Sequence, residues 1–368
     1  MPAPSSRSCL RVVIVAAVLF VTAVVGVAVW AYREYGPLPI REAPAKHRLP
    51  FLDGAETVAY STDGRRLAAG GKLGIKVWDS ATGQVVWEWT QNPSVVRAVR
   101  YSPDGGRLAV LCTSGHLTLR AAGTGAFQMA IQPSEPDRPA AFVGPDTDTS
   151  PRSSSSACFS PDGRWLATGH YYRSYPHGVA GEVRVWEVAT GKQVRTIETP
   201  VGVMAVAFSP DVKWIATGEA DGKARLWEAG TGRKVRDLPP GGSEAGIVFT
   251  HSGREVVYAG GWCMEENPAT VLDLNTEATR SLTGGRQSYA VYVHCMAVSA
   301  DGRRLALGEL VKDHRRRGGH RVRVWDLRSG SLLADYDCPA EVKALAYSPD
   351  GRELAVACGN EVRVCDVP

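Results

Sequence analysis

The chain has 368 residues, 44% of them hydrophobic, and a net charge of +4. That length can bury one large core or two smaller ones, and so mild a charge gives no ground for expecting nucleic acid as a partner. The 39 glycines and 23 prolines imply many turns, and so many short strands.

Residues 1–11 are a short tail carrying Arg7 and Arg11. Residues 12–32 are apolar, interrupted only by Thr22 and small residues. As a helix this run is about 31 Å long, enough to cross a bilayer once. Cleaved signal peptides carry a shorter apolar region of about 7–15 residues. The expectation is therefore a single transmembrane helix over 12–32, with a signal peptide cleaved after Val29, Trp30 and Ala31 as the alternative. A count of Lys and Arg after the span would hold the following domain inside. The two arginines before a signal-like span argue for export, and the exported (periplasmic or extracellular) side is preferred. Residues 33–46, with Pro37, Pro39 and Pro44, read as a stiffened tether.

There are 8 cysteines, Cys9 before the span and an odd number after it, without CxxC spacing. This is neither a disulfide framework nor a zinc site, and the later cysteines read as small buried hydrophobes.

From there a unit recurs seven times. Its turn is Ser-Thr-Asp-Gly at 61–64, Ser-Pro-Asp-Gly at 102–105 and 160–163, and Ser-Pro-Asp-Val at 209–212. It continues as Thr-His-Ser-Gly at 250–253, Ser-Ala-Asp-Gly at 299–302 and Ser-Pro-Asp-Gly at 348–351, at spacings of 41 to 58 residues. Pro presets φ at the first corner, Asp bonds back to the backbone, and Gly accepts positive φ. Alternating segments flank each turn, and a second turn such as Ala-Thr-Gly at 189–191 leads to a fourth strand. Four short strands make a sheet that cannot bury both faces alone; seven such sheets in a ring can.

The third strand ends in Val-Trp-Asp at 77–79, Val-Trp-Glu at 185–187, Leu-Trp-Glu at 226–228 and Val-Trp-Asp at 324–326. With these motifs, residues 47–368 resemble a WD40-repeat β-propeller. The resemblance implies an all-β fold, a seven-bladed β-propeller of four-stranded antiparallel blades, here preceded by one transmembrane helix. Arg120, Leu272 and Cys365 replace the Trp in units two, five and seven, and the family's Gly-His pair before the first strand is missing. The family's buried His–Asp hydrogen-bond network is therefore expected to be incomplete. The resemblance also implies that residues 47–54 supply the outermost strand of blade seven, pairing with Val362 to Cys365 and covering its edge. Pro50 suits an outermost strand, where a missing N–H faces solvent.

Units three, five and six carry extra residues between their second and third strands, at 171–177, 262–268 and 312–320. Residues 132–156, rich in Pro, Ser and Asp, lengthen the connection from unit two to unit three. In an up-and-down sheet all four insertions fall on one end of the ring, here called the top, which marks the expected binding face. A tether entering the closing strand from below would leave this face pointing away from the membrane.

The candidate contacts for a protein or peptide partner are Tyr171, Tyr172, Arg173, Tyr175 and His177, with Trp262 and Met264, since Tyr, Trp and Arg are the usual interface anchors. Arg315, Arg316 and Arg317 could hold an anion. His170 with His177, or His314 with His320, lack the further ligands a metal site needs. Asp146 and Asp148 are an isolated fragment of a calcium loop. No HExxH, P-loop, GxSxG or kinase signature appears. The expectation is a membrane-tethered scaffold or protein-binding module using its top-face loops, not an enzyme and without a cofactor. The alternatives are a propeller hydrolase or lyase with a site in the channel mouth, and a sensor of an anionic ligand.

Overall fold

One turn, repeated, sets the architecture. Ser61 Oγ donates to Asp63 Oδ1 at 2.6 Å and accepts from Arg66 N at 2.9 Å, while Asp63 Oδ1 accepts from Arg65 N at 3.0 Å. Gly64, at φ +71°, donates to Ser61 O at 2.9 Å. The hydroxyl–carboxylate pair recurs at Ser102, Ser160, Ser209, Ser299 and Ser348. In unit five Thr250 and Ser252 stand in for it at 3.2 Å. Unit four has Val212 in the glycine's place at φ 60°, a left-handed conformation that costs about 1–2 kcal/mol. Packing of Val212 against the neighbouring core offsets part of that cost.

A computed structural model describes residues 41–42, 45–51, 54–90, 94–131, 153–174, 178–241, 246–263, 269–282, 290–312 and 319–367. Two strands precede the first blade, β1 (Arg41–Glu42) and β2 (Ala45–Pro50). Blade one is β3 (Ala55–Tyr60), β4 (Arg66–Gly71), β5 (Gly74–Asp79) and β6 (Val85–Trp89); blade two is β7 (Val96–Tyr101), β8 (Arg107–Cys112), β9 (Leu117–Ala121) and β10 (Phe127–Ile131). Blade three is β11 (Ser153–Phe159), β12 (Trp165–Ser174), β13 (Gly178–Glu187) and β14 (Gln193–Thr199); blade four is β15 (Val203–Phe208), β16 (Trp214–Glu219), β17 (Ala224–Glu228) and β18 (Lys234–Asp237). Blade five is β19 (Gly246–Phe249), β20 (Glu255–Ala259), β22 (Ala269–Asp273) and β23 (Thr279–Ser281), with β21 (Gly261–Cys263) diverging from it. Blade six is β24 (Ala290–Val298), β25 (Arg304–Lys312), β26 (Gly319–Asp326) and β27 (Leu332–Cys338); blade seven is β28 (Val342–Tyr347), β29 (Glu353–Cys358) and β30 (Glu361–Asp366), with β2 outermost.

The inner strands β3, β7, β11, β15, β19, β24 and β28 touch in succession and back to the first, closing the ring. Each junction between neighbouring blades holds its own apolar cluster. Close approach there demands glycine. A Cβ on Gly70 would meet Val96 Cγ1 at 2.5 Å, on Gly169 it would meet Val203 Cγ1 at 2.7 Å, and on Gly308 it would meet Val342 Cγ1 at 2.8 Å.

β2 lies antiparallel to β30, with His47 opposite Val364 and Leu49 opposite Val362. Glu42 and Arg41, in the stretch read as a tether, pair in parallel with β27 of blade six. The apolar run over 12–32, read as a transmembrane helix, lies outside the described residues. Among the described residues no helix is long and apolar enough to cross a membrane.

Candidate binding surface

The third strand's Trp and the second strand's Thr organise blades three and four. Trp186 Nε1 donates to Thr168 Oγ1 at 3.0 Å, and that hydroxyl pairs with His170 Nε2 at 2.8 Å. Trp227 Nε1 donates to Thr217 Oγ1 at 2.9 Å, and Thr217 donates to Glu219 Oε1 at 3.0 Å. Arg225 reaches Glu219 through Nη1, Asp221 through Nη2 at 3.0 Å and Asp237 through Nε at 3.1 Å. His170, weighed above as a ligand beside His177, is thus a core residue, and burial pushes its imidazole down to about 3. Blade six has Leu307 in the threonine's place, and there Trp325 Nε1 has no hydrogen-bond partner among the described residues. In blade two Arg120 replaces the Trp, covers the Trp89 ring at 3.7 Å and donates to Gly125 O at 2.9 Å.

The described parts of the insertions in blades three and six extend hairpin arms. β12 and β13 stay in register from Trp165 opposite Glu187 to Ser174 opposite Gly178. Tyr171, Tyr172 and Arg173, read above as loop residues, therefore belong to a strand, because each is paired across to β13, Tyr171 opposite Gly181 and Arg173 opposite Val179. Tyr171 lies against Gly202, where an added Cβ would be 1.9 Å from its ring. It packs the entry to blade four and is only partly exposed. Tyr175 and His177 lie outside the described residues.

The insertion of blade five crosses to its neighbour. β21 pairs antiparallel with β24, Trp262 opposite Tyr292, so the backbone around Trp262 joins two blades instead of forming a free loop. Met264 lies outside the described residues. In blade six β25 and β26 continue to Val311 opposite Gly319, while Arg315, Arg316 and Arg317 lie outside the described residues. On this arm Tyr292 meets the His294 ring edge-on at 4.7 Å, and the His294 and His320 rings stand 6.4 Å apart. Burial lowers the His294 pKa, although Glu341 Oε1 is 3.4 Å from its Nδ1. Among the described residues no three His, Cys, Asp or Glu side chains converge as a metal site.

Between the arms opens the central channel, about 540 Å³ in volume. Its charges gather where the inner strands begin. Glu56 receives Arg97 and Lys343, each at 2.8 Å, and Lys343 lies 4.0 Å from Glu341. Further along β7, Arg100 also lines the channel. None of these residues was singled out above. They occupy single columns of the repeat, and only a comparison of the same position in all seven units exposes them.

The family model for the WD40 repeat (WD domain, G-beta repeat) matches residues 149–187 and 191–228. These are the two units with the Trp–Thr hydrogen bond. Over 77 residues, 19% of the chain, it is 42% identical to the protein named eukaryotic translation initiation factor 3 subunit I from Scheffersomyces stipitis, covering 22% of that protein. The protein of the same name from Lodderomyces elongisporus is 28% identical over 158 residues, 41% of this chain and 42% of the relative. Protein groucho from Drosophila melanogaster is 33% identical over 98 residues, 27% of this chain and 12% of the relative. The chain thus spans between 12% and 42% of the length of these relatives. Together with the seven four-stranded blades, the matches support a WD40 β-propeller.

Proposed function

We propose that this WD40 propeller is a protein-binding scaffold whose partner docks on the top face, between the arms of blades three and six. The observation that carries the reading is the length of those arms. β12 and β13 have 10 residues each, and β24 and β25 have 9 each, whereas β4 and β5 have 6. Extra paired strand above a ring adds nothing to closure of the ring. It supplies a rigid, raised rim on both sides of the channel, and rigid elements make precise interfaces. A relative named as a subunit of an initiation factor is, by that name, part of an assembly, which favours the same kind of role here. A finer part of the proposal is a membrane tether at residues 12–32 with the propeller exported. It rests on the apolar run alone.

The test is capture from a lysate of the source cells with the full chain as bait. A second bait carries Tyr172→Ser, Tyr175→Ser and Trp262→Ser, with its fold checked by circular dichroism. Tyr171 is left in place because it packs on Gly202. A partner held by the first bait and lost by the second supports the top face. Equal capture by both sends the binding to another surface. Membrane fractions extracted with alkaline carbonate test the tether, since a spanning helix stays with the pellet.

A further inference from the structure

Two residues before the turn hydroxyl, six of the seven inner strands carry Ala, Cys or Val, among them Cys158, Ala207, Val248 and Ala297. The seventh, β7, carries Arg100, and all five of these residues line the channel. A guanidinium therefore stands in a ring of small, uncharged side chains.

Its partners do not balance it. Arg100 Nη1 donates to Val99 O at 2.8 Å, and no carboxylate pairs with Arg100 among the described residues. Among the described residues, the two carboxylates that line the channel are engaged nearer the strand starts. Glu56 is held by Arg97 and Lys343, each at 2.8 Å, and Glu341 by His294 at 3.4 Å. Arg100 sits three residues further along β7 than Arg97, roughly 10 Å deeper. Even partial removal from water is unfavourable for a lone cation; the side chain is partly exposed to the channel, and burial draws its pKa down from the ordinary arginine value. An arginine offers five N–H donors, and one carbonyl uses only a fraction of them.

We propose that the channel receives an acidic side chain of a partner segment, whose carboxylate pairs with Arg100. This rests on the protein-binding reading above and adds to it the chemistry of the partner. The planar fork of a guanidinium matches a carboxylate in two parallel hydrogen bonds. One uncompensated positive charge calls for one negative charge, whereas a phosphate group carries about −1.5 to −2. Pockets of roughly 300–1,000 Å³ accept ligands well beyond a single ion, so the channel of about 540 Å³ has room for a side chain with its flanking backbone. The walls at Ala207, Val248 and Ala297 suit its methylenes.

The experiment follows the melting temperature of the full chain against three probes at fixed ionic strength. They are a blocked Gly-Gly-Glu-Gly-Gly peptide, its Gln counterpart, and glutarate as a free acid. The Glu peptide is expected to raise the melting temperature saturably and the Gln peptide to leave it unchanged. Arg100→Met should weaken the Glu response at least about tenfold, the loss of a charge-assisted hydrogen bond, and should melt no lower than the wild type without ligand. Arg100→Lys, which keeps the charge, should retain part of the response. Equal responses to the Glu and Gln peptides, an undiminished response in Arg100→Met, or a lower unliganded melting temperature in that variant would each overturn the proposal. Stabilisation by glutarate alone would replace the partner segment with a free acid and overturn it too. Arg100 lies off the strand arms, so a partner still captured by Arg100→Met would leave the scaffold reading standing while this one fell.

Discussion

The indole of Trp227 and the hydroxyl of Thr217 are joined by a 2.9 Å hydrogen bond deep between the second and third strands of blade four. The bond closes a relay, because the same hydroxyl donates to Glu219, which Arg225 holds. Thr217→Val keeps the volume and removes both functions. It leaves a buried N–H without an acceptor and takes one donor from a buried carboxylate that Arg225 still holds, a loss of about 1–3 kcal/mol. Chemical denaturation should show the midpoint falling with an unchanged slope. A variant as stable as the wild type would mean that the indole, like that of Trp325, is tolerated without a partner.

Gly169 tests the blade junction. A methyl there would meet Val203 Cγ1 at 2.7 Å and its backbone carbonyl at 3.4 Å. Val203 is fully buried at the start of blade four, so it has little space to yield. Gly169→Ala should cost about 1–3 kcal/mol through overpacking, although the same change in an open strand would stabilise. Gly222, with nothing near its Cβ position but a φ of +74°, is the control in which conformation alone is charged. Thermal melts of the two alanine variants should separate crowding from backbone strain, with Gly169→Ala the less stable.

Glu309 governs a pH dependence. It is wholly buried, and burial pushes its carboxyl from the ordinary 4.5 up to about 7, against the pull of Arg323. Arg323 Nη1 is 3.1 Å from Glu309 Oε2, yet among the described residues neither carboxylate oxygen has a hydrogen-bond partner. A carboxyl whose pKa rises on folding binds more protons folded than unfolded. Its contribution to stability is complete below about pH 4.5 and is lost as the pH rises through about 7. The turn aspartates run the other way. A hydrogen bond from Ser61 holds Asp63 below its ordinary 3.8, and its support is lost as the pH falls through that lowered value. Melting temperature should therefore decline from about pH 5 to about pH 7, and Glu309→Gln should reduce the decline, leaving the share of Glu219, whose carboxyl burial also pushes up to about 7. Parallel curves for the two proteins would show that Glu309 is ionised throughout.

The blades were legible because each turn carries its own chemistry. Ser61 and Asp63 are local partners, two residues apart, and their spacing survives in the sequence wherever the turn survives. Trp186 and Trp227 were legible as motif positions, and the relay below them was not, since His170 and Glu219 reach their threonines within one strand instead of from the preceding loop. The arms were misread for a different reason. Residues 171–174 differ in composition from the short second strands of the other units, and insertions ordinarily mean loops. Their pairing with 178–181 depends on a partner strand that follows them, which periodicity over so few residues does not reveal. β21 was harder still, because its partner β24 belongs to the next blade.

The closing strand carries the last prediction. Leu49 is 4% exposed and belongs to the cluster that joins blade seven to blade one, and Phe51 continues it, its ring 6.2 Å from that of Trp78. Lys46 pairs with Glu353, and Phe51 N donates to Asn360 O at 2.9 Å. Leu49→Ala should cost about 2–5 kcal/mol as a buried large-to-small change. Deletion of residues 45–50 goes further, because it bares β30 as well as emptying the cluster. An uncovered strand with Val362 and Val364 in it is a template for pairing with a second chain. The shortened protein should melt lower and form larger species as its concentration rises in light scattering. If it stayed monomeric with an unchanged melting temperature, ring closure would owe nothing to this strand, and the inner-strand contacts alone would have to hold blades seven and one together.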